Sequence, residues 1–265
     1  MALGLTSFPT PSDTAGGIVH QNYLIEHTVG SIIGAAFKIY GRHFGTLFLM
    51  YILPFIPVSI IQQELQLSGS AVLAILGMLL TFIVALFAFA ATTVAVSDIC
   101  IGNVPSIKRS YTKILGKIVL RLLGTNILQT LAVIVGLVLL VIPGLVLGIW
   151  LMLSPSIVVL ENRTGIAALK RSKQLGNGSH WRNAGLILLL TIICGVIGAV
   201  IGAVIGAGIG LLFPDLFETL LPVLTTLPAG LTMPLTFISL VLVYYDRRVR
   251  KEGYDAKALA EDLAR

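Results

Sequence analysis

The sequence predicts an all-α integral membrane protein with six transmembrane helices, paired as three helical hairpins, and amphipathic interfacial helices on the cytoplasmic face. Hydrophobic residues make up 56% of the 265 residues, charged residues only 11%, and the mean hydropathy is +0.97. Soluble domains contain roughly 25% charged residues, so this composition excludes an ordinary soluble protein. Six apolar runs, each long enough to cross a bilayer, alternate with short polar segments.

Three segments follow from the distribution of apolar and polar residues. Residues 1–27 contain several prolines and glycines and predict an irregular cytoplasmic N-terminal tail. Residues 28–245 form the six-span membrane domain, and residues 246–265 form a cytoplasmic C-terminal tail. The expected spans cover residues ~44–61, ~71–96, ~118–142, ~144–160, ~183–213 and ~229–245.

The first hairpin pairs spans 1 and 2 and follows an amphipathic segment. Residues 28–40 place apolar side chains along one side of a helix, which predicts an interfacial helix. Pro54 and Pro57 are expected to bend or end the outer half of span 1, because proline removes a backbone donor. The connection at 62–70 contains no basic residue.

The second hairpin comes from the almost wholly apolar run 118–160. A helix crosses the hydrocarbon with about 20 residues, so a run of this length predicts two spans. Pro143 and Gly144 are expected to form the turn, since proline followed by glycine suits the central positions of a tight turn. A surface helix with its N-cap near Ser106 precedes this hairpin.

The third hairpin follows a basic surface helix expected at 166–175. Spans 5 and 6 are joined by a proline-containing connector, 214–228, which we expect outside the spans, and span 6 is expected to kink at Pro234. The C-terminal tail predicts a short helix with Asp255 as N-cap and with Leu259 on its apolar face.

Span 5 contains a row of glycines that we call the glycine ladder. Residues four apart lie nearly above one another on a helix, so this row gives one face without side chains. In lipid such a face lets a second helix approach closely, which favours packing against another helix of the chain. Self-association and a pore or substrate path remain alternatives. The helix-packing residues are Gly195, Gly198, Gly202, Gly206 and Gly210.

The basic residues predict the orientation. All eighteen Lys and Arg residues lie before span 1, between spans 2 and 3, between spans 4 and 5, or after span 6, with the adjoining span ends included, whereas the other connections hold only Glu64, Asp215 and Glu218. Short basic loops stay in the cytoplasm, so both termini are expected there. The net charge of +6 indicates this orientation and contact with anionic lipid, and no nucleic-acid partner is expected.

Several motifs resemble the membrane-domain family named after glycerophosphoryl diester phosphodiesterases, six-span proteins of bacteria and archaea. They are residues 30–44, 141–144, 158–161, 168–176 and 244–254. The resemblance implies a prokaryotic cytoplasmic (inner) membrane protein. The phosphodiesterase activity of that family belongs to a separate soluble barrel domain, which we do not expect in this sequence, so the resemblance implies no such activity here.

The sequence offers no catalytic constellation, cofactor motif or metal-ligand spacing, so none of these is expected. Asn126 and Gln129 in span 3 share a helix face, and polar groups within a span normally point inward. We expect hydrogen bonds between helices from these two residues. A substrate site between the spans is the alternative.

Glu161, at the cytoplasmic end of span 4, is expected to form an ion pair with Arg171 that docks the third surface helix. Proton or ligand handling by Glu161 is the alternative. The four histidines are expected to be solvated or interfacial; they are His20, His27, His43 and His180.

These features favour a non-enzymatic membrane protein, a structural or accessory subunit that packs against a membrane-protein partner or against itself as a homo-oligomer. A transporter or lipid-handling permease is the alternative, because Pro54, Pro57 and Pro234 are compatible with the broken helices of transporters. An enzyme acting on lipids ranks last, because no Asp, Glu, His or Lys lies in the middle of any span.

Overall fold

The computed structural model of the chain describes residues 23–264, with the side chains of Lys117, Leu216 and Ala264 left out. The described part is all-helical. Its helices are α1 (Val29–Arg42), α2 (Phe44–Leu67), α3 (Ala71–Cys100), α4 (Ile107–Ile114), α5 (Lys117–Leu139), α6 (Val141–Leu151), α7 (Ser154–Glu161), α8 (Gly165–Gly176), α9 (His180–Leu212), α10 (Pro214–Glu252) and α11 (Ala256–Ala264).

Six stretches of this part are long and apolar enough to cross a membrane, so the chain is a multi-pass integral membrane protein. They are Phe44–Leu67, Ala71–Cys100, Ile118–Leu139, Val141–Glu161, His180–Leu212 and Phe217–Glu252. The fourth stretch consists of α6 and α7 in succession. The most extensive helix contacts join α9 to α10, α2 to α3 and α5 to α6. The predicted all-α fold with six membrane helices is therefore confirmed.

The turn of the second hairpin lies at Leu140, three residues before its predicted position. Leu140 is extended, and α6 begins at Val141, so Pro143 and Gly144 belong to the first turn of α6. The first amides of a helix have no partner within it, which makes a proline there inexpensive. Gly144 packs against α5, where an added Cβ would lie 2.6 Å from the backbone nitrogen of Leu137.

Proline does not end the membrane helices, although the sequence predicted that Pro54 and Pro57 would bend or end span 1. Helix α2 continues through Pro54 and Pro57 to Leu67, and α10 runs from Pro214 to Glu252. The expected connector 214–228 is therefore helical, and the tail expected from residue 246 begins seven residues later. In lipid a lost helix bond leaves the rest of the helix intact, because no water competes for the remaining backbone groups.

Residues 23–27 are not a loose tail. They are non-helical, as expected, but Tyr23, Leu24 and His27 are each less than 8% exposed. Of the two expected settings, solvated or interfacial, burial contradicts the solvated one for His27, since its ring nitrogens face Ser31 and the carbonyl of Tyr23. His43 and His180 are half-buried. The prediction for His20, and that for residues 1–22, falls outside the described residues.

The surface helices α1, α4, α8 and α11 gather at the end of the bundle that carries the Lys and Arg residues, which we call the basic end. The opposite end is called the far end. Thr28 caps α1, and the Oγ of Ser106 accepts from the amide of Arg109 at 3.5 Å, as predicted for α4. Asp255 accepts from the amide of Ala258 at 2.8 Å, which confirms the predicted cap of α11.

Candidate functional site

Part of the glycine ladder packs against α10. A Cβ added at Gly198 would lie 3.6 Å from Thr232, one at Gly202 would lie 3.4 Å from Pro228, and one at Gly210 would lie 3.4 Å from Phe217. These spacings are ordinary van der Waals contacts, so three glycines of the ladder seat the next helix of the same chain. This is the intramolecular packing that the sequence favoured.

The rest of the ladder borders an apolar groove between α9 and α10. No neighbouring atom lies within 4 Å of a Cβ added at Gly195 or Gly206. The groove has a volume of about 510 Å³, and its lining combines the ladder from Gly195 to Gly206 with α10 from Phe217 to Thr236. It is therefore a shallow space along the far half of both helices.

The lining of the groove contains no charged residue, and three of its four threonine hydroxyls donate within their own helices. Thr191 donates to the carbonyl of Ile187, and Thr232 donates to that of Pro228, each within its own helix. A hydroxyl engaged in this way presents little polarity to a ligand. Chemically, the groove is suited to an apolar helix or an acyl chain.

Helix α9 is the least enclosed of the six spans. Only 11% of its most apolar window is buried within the chain, against 61% for α10. Its buried residues lie near its start, at Asn183, Leu186, Leu190 and Cys194. The ladder portion of α9 therefore faces the surroundings of the protein more than its interior.

A buried ionic cluster at the basic end is centred on Asp246, whose side chain is fully buried. Its carboxylate accepts from Arg182 at 2.5 Å, from Arg250 at 2.8 Å and from Arg247, and also from the backbone amide of His27 at 2.8 Å. These contacts tie α9, α10 and the segment before α1 together. We call this set the Asp246 cluster.

A second cluster contains the predicted pair Glu161–Arg171, which the structure forms at 2.9 Å. Arg171 also contacts Glu252 at 2.5 Å, and Tyr244 donates to Glu161 at 3.1 Å. Burial lowers the pKa of Arg171, but the hydrogen bonds and charges of the two glutamates raise it above its usual value. The pair therefore docks α8 onto α7 and α10, and we call this set the Glu161 cluster.

Arg248 extends the Glu161 cluster to the last helix. It contacts Glu252 at 2.9 Å and Asp262 at 2.9 Å, and its guanidinium lies 3.6 Å from the centre of the Tyr254 ring. Tyr254 donates to Asp262 at 2.8 Å. The C-terminal segment is thus held against α10 by charge and by ring stacking.

A third buried acid, Asp98, lies at the basic end of α3. Its side chain is 1% exposed and lies 3.4 Å from the guanidinium of Arg109 on α4. Burial lowers the pKa of the nearby Lys113, against the raising effect of Asp98. The Nζ of Lys113 donates to the carbonyl of Leu263 at 2.6 Å, so α3, α4 and α11 meet at this point.

Asn126 and Gln129 do not line the α9–α10 groove. The side-chain amide of Asn126 donates to the carbonyl of Leu122 in its own helix, at 2.9 Å. Gln129 accepts a hydrogen bond from Ser154 at the start of α7. Gln129 therefore forms the expected hydrogen bond between two helices. Asn126 instead donates to a backbone carbonyl of its own helix.

The clusters at the basic end were only partly visible in the sequence. Asp246 and Arg250 are four residues apart, the spacing of a helical ion pair, and this signal could have found their contact. Nothing local indicated that Arg182 and His27 meet the same carboxylate. In the described residues, no group of three or more His, Cys, Asp or Glu side chains is placed to hold a metal ion.

Residues 99–264 match a family model described as "Domain of unknown function (DUF8558)". The chain belongs to this family. The DUF8558 region begins at the end of α3 and includes four of the six spans, the glycine ladder, Asp246 and the Glu161 cluster. No curated protein and no solved structure matches the chain.

Proposed function

We propose that this DUF8558 protein is a non-enzymatic structural or accessory subunit that packs against a membrane-protein partner or a second copy of itself. The observation that carries the proposal is the ladder of α9, which borders an open groove and belongs to the least enclosed span. The proposed occupant is an apolar transmembrane helix lying along Gly195 and Gly206.

Membrane physics supports a helix on this surface. Between helices in lipid the hydrophobic effect is weak, so association depends on close packing, and small residues let two backbones approach. Gly206 has no neighbouring atom within 4 Å of an added Cβ, so its bare backbone is open to a second helix. A partner there gains van der Waals contacts that lipid chains make less well.

The ionic clusters support the non-enzymatic part of the proposal. Glu161 and Asp246 each contact arginine side chains at ion-pair distance, which suits docking of helices. General acid–base catalysis needs a group that can exchange its proton with a substrate. Carboxylates held between arginines at the helix ends are better explained as structural.

For the location, we propose a prokaryotic cytoplasmic membrane with both termini in the cytoplasm. The support is the basic end itself, where exposed cations such as Lys38, Lys108 and Lys170 stand beside the spans. Anionic lipid attracts each such cation by about 1 kcal/mol near the surface. The resemblance to the glycerophosphodiesterase membrane-domain family agrees with this location.

The test compares two leucine substitutions on opposite sides of α9. Gly206→Leu places a side chain in the groove, where an added Cβ has no neighbouring atom within 4 Å, whereas Gly208→Leu places the same side chain outside the ladder row. We expect the wild type and Gly208→Leu to retain a partner or second copy in mild detergent, and Gly206→Leu to lose it. Native mass spectrometry of the purified particles measures this.

A wild-type particle that is strictly monomeric and free of partners would contradict the proposal. The same holds if Gly206→Leu and Gly208→Leu retain their partners equally. Thermal unfolding of both variants shows whether the monomers stay folded, and we expect similar midpoints because neither glycine has a close neighbour.

A lipid-handling permease is the second candidate, and the volume of the groove, about 510 Å³, is the observation that favours it. Against transport, the polar residues Asn126 and Gln129 lie outside the groove lining and are engaged in hydrogen bonds. Lipid bound stoichiometrically to the wild type but not to Gly206→Leu, without any protein partner, would favour this candidate.

A further inference from the structure

The turn between α5 and α6 is apolar from end to end. Residues 137–145 read Leu-Val-Leu-Leu-Val-Ile-Pro-Gly-Leu, and the side chains of Val138, Leu140 and Ile142 are 81%, 68% and 73% exposed. The corresponding end of the first hairpin, residues 62–70, comprises the end of α2 and the turn at 68–70; it is rich in Gln and Ser and contains Glu64. The two turns lie at the same end of the bundle, but the polar one is suited to water and the apolar one to lipid.

The second hairpin is also shorter than its neighbours. At the basic end, the guanidinium of Arg121 in α5 donates to Asn162, just after the last residue of α7. The two helices therefore lie at the same depth there. From Arg121 to Leu139 a helix rises about 27 Å, at about 1.5 Å per residue. By the same measure α10 rises about 48 Å from Asp246 to Pro214.

The other helices agree with this difference in length. From Asp98 to the start of α3 at Ala71 the rise is about 40 Å by the same rule. Glu161 accepts from Tyr244, so the basic end of the second hairpin is level with that of α10. Its turn therefore stops short of the other turns by about 10 Å or more.

We propose that the α5–α6 turn lies among the acyl chains of the far leaflet and never meets the far aqueous phase. The hydrocarbon is about 30 Å thick within a bilayer of about 40–45 Å, so a rise of about 27 Å ends inside it, whereas α3 and α10 reach the headgroups. The partner of this surface is lipid hydrocarbon.

The backbone of the turn suits such a position. Lipid offers no hydrogen bonds, so a turn within it must bond its own polar groups. The amide of Leu140 donates to the carbonyl of Gly136 at 3.0 Å, and the amide of Gly144 donates to the carbonyl of Leu140 at 3.4 Å. Pro143, which has no amide hydrogen, removes one further donor from the first turn of α6.

The test is cysteine accessibility in vesicles. Leu140→Cys is compared with the control Ser68→Cys, in the turn of the first hairpin. In both variants Cys100 and Cys194, which are buried, are replaced by alanine so that the introduced cysteine is the only thiol. The purified variants are reconstituted into phosphatidylcholine–phosphatidylglycerol vesicles. A membrane-impermeant maleimide is added before or after the vesicles are dissolved in detergent.

We expect Ser68→Cys to react in intact vesicles and Leu140→Cys to react only after detergent is added. The thiolate is the reactive form, and each unit by which an apolar setting raises a thiol pKa reduces its thiolate fraction about tenfold. At least tenfold slower labelling is therefore expected for Leu140→Cys. Ile142→Cys repeats the test if the first variant does not fold.

Equal labelling of Leu140→Cys and Ser68→Cys in intact vesicles would overturn the proposal. It would also be overturned if Leu140→Cys were protected in native membranes but reactive in the pure lipid vesicles, because a protein partner would then be covering the turn. Failure of this test leaves the groove and its partner unaffected, since the two features lie on different hairpins.

Discussion

The two halves of this bundle are packed by different means. On α3, every residue from Ala88 to Cys100 is buried, whereas Gly77 alone is buried among the first seventeen residues of that helix. On α9, the buried residues end at Cys194, one residue before the ladder begins. The basic half is a dense core joined by ionic clusters, and the far half is open.

The difference reflects the solvent of each half. At the basic end the surface helices lie beside water, so burying their apolar faces stabilises them and the buried charges need partners. In the far half, lipid is as apolar as leucine, and burial inside the chain gains little. A bare glycine row, an open groove and an apolar turn are therefore compatible with a stable fold there.

The largest expected effect tests the basic half. Asp246→Asn removes the charge that Arg182, Arg247 and Arg250 share. Losing one member of a buried ionic group costs on the order of 3–5 kcal/mol, and here the buried guanidinium of Arg247 loses its carboxylate partner. Thermal unfolding in detergent should show a large fall in the midpoint.

Asp215→Asn, the same substitution at the far end of the same helix, is the control. Asp215 is exposed in the first turn of α10, so its loss should cost no more than about 0.3–1 kcal/mol through the helix dipole. Similar effects of the two substitutions would show that the halves do not differ as the packing indicates.

A middle-sized effect tests the close approach of α5 and α6 in the far half. Gly144→Ala places a Cβ 2.6 Å from the backbone nitrogen of Leu137, so the hairpin must shift. We expect a cost of about 1–3 kcal/mol from overpacking. Gly148→Ala, in the same helix with no atom within 4 Å, should instead stabilise by up to about 1 kcal/mol.

Unfolding midpoints of the two alanine variants provide the measurement. A Gly144→Ala variant as stable as Gly148→Ala would mean that the turn at Leu140 is looser than its contacts indicate. That result would extend the openness of the far half to all three hairpins.

The smallest effect tests how firmly the C-terminal helix joins the basic half. Asp255→Ala removes the cap of α11, and loss of an N-cap costs about 1 kcal/mol. Hydrogen exchange of residues 256–264 should become faster, while α10 stays protected. Lys257→Ala, an exposed position in the same helix, should leave the exchange rate unchanged.

Much of the fold could be predicted residue by residue, because its signals are local. Apolar runs of bilayer length predicted the spans, and Ser106 and Asp255 were identified as caps from the side chains that precede each helix. The Glu161–Arg171 pair was also predictable, since both residues stand beside the same loop. The position of the turn at Leu140 was predicted three residues too late, because a proline such as Pro143 is compatible both with a tight turn and with the first turn of a helix.

The candidate site was predicted only in part. The glycine ladder predicted a packed helix face. Which of its glycines are covered and which are open depends on where Pro228 and Phe217 of α10 lie. The sequence placed Asp246 in the C-terminal tail, whereas its burial depends on Arg182 and His27, which are 64 and 219 residues away from it in the chain. Contacts between residues so far apart in the chain produce no periodic pattern in the sequence.

The sequence by itself determined that six helices cross a membrane and that the basic residues gather at one end, because hydropathy and charge act on each segment independently. Only the tertiary structure decided which glycines of the ladder remain open, which acids are buried among arginines and how far each hairpin extends from the basic end. Those properties belong to pairs of distant helices, and no single segment encodes them.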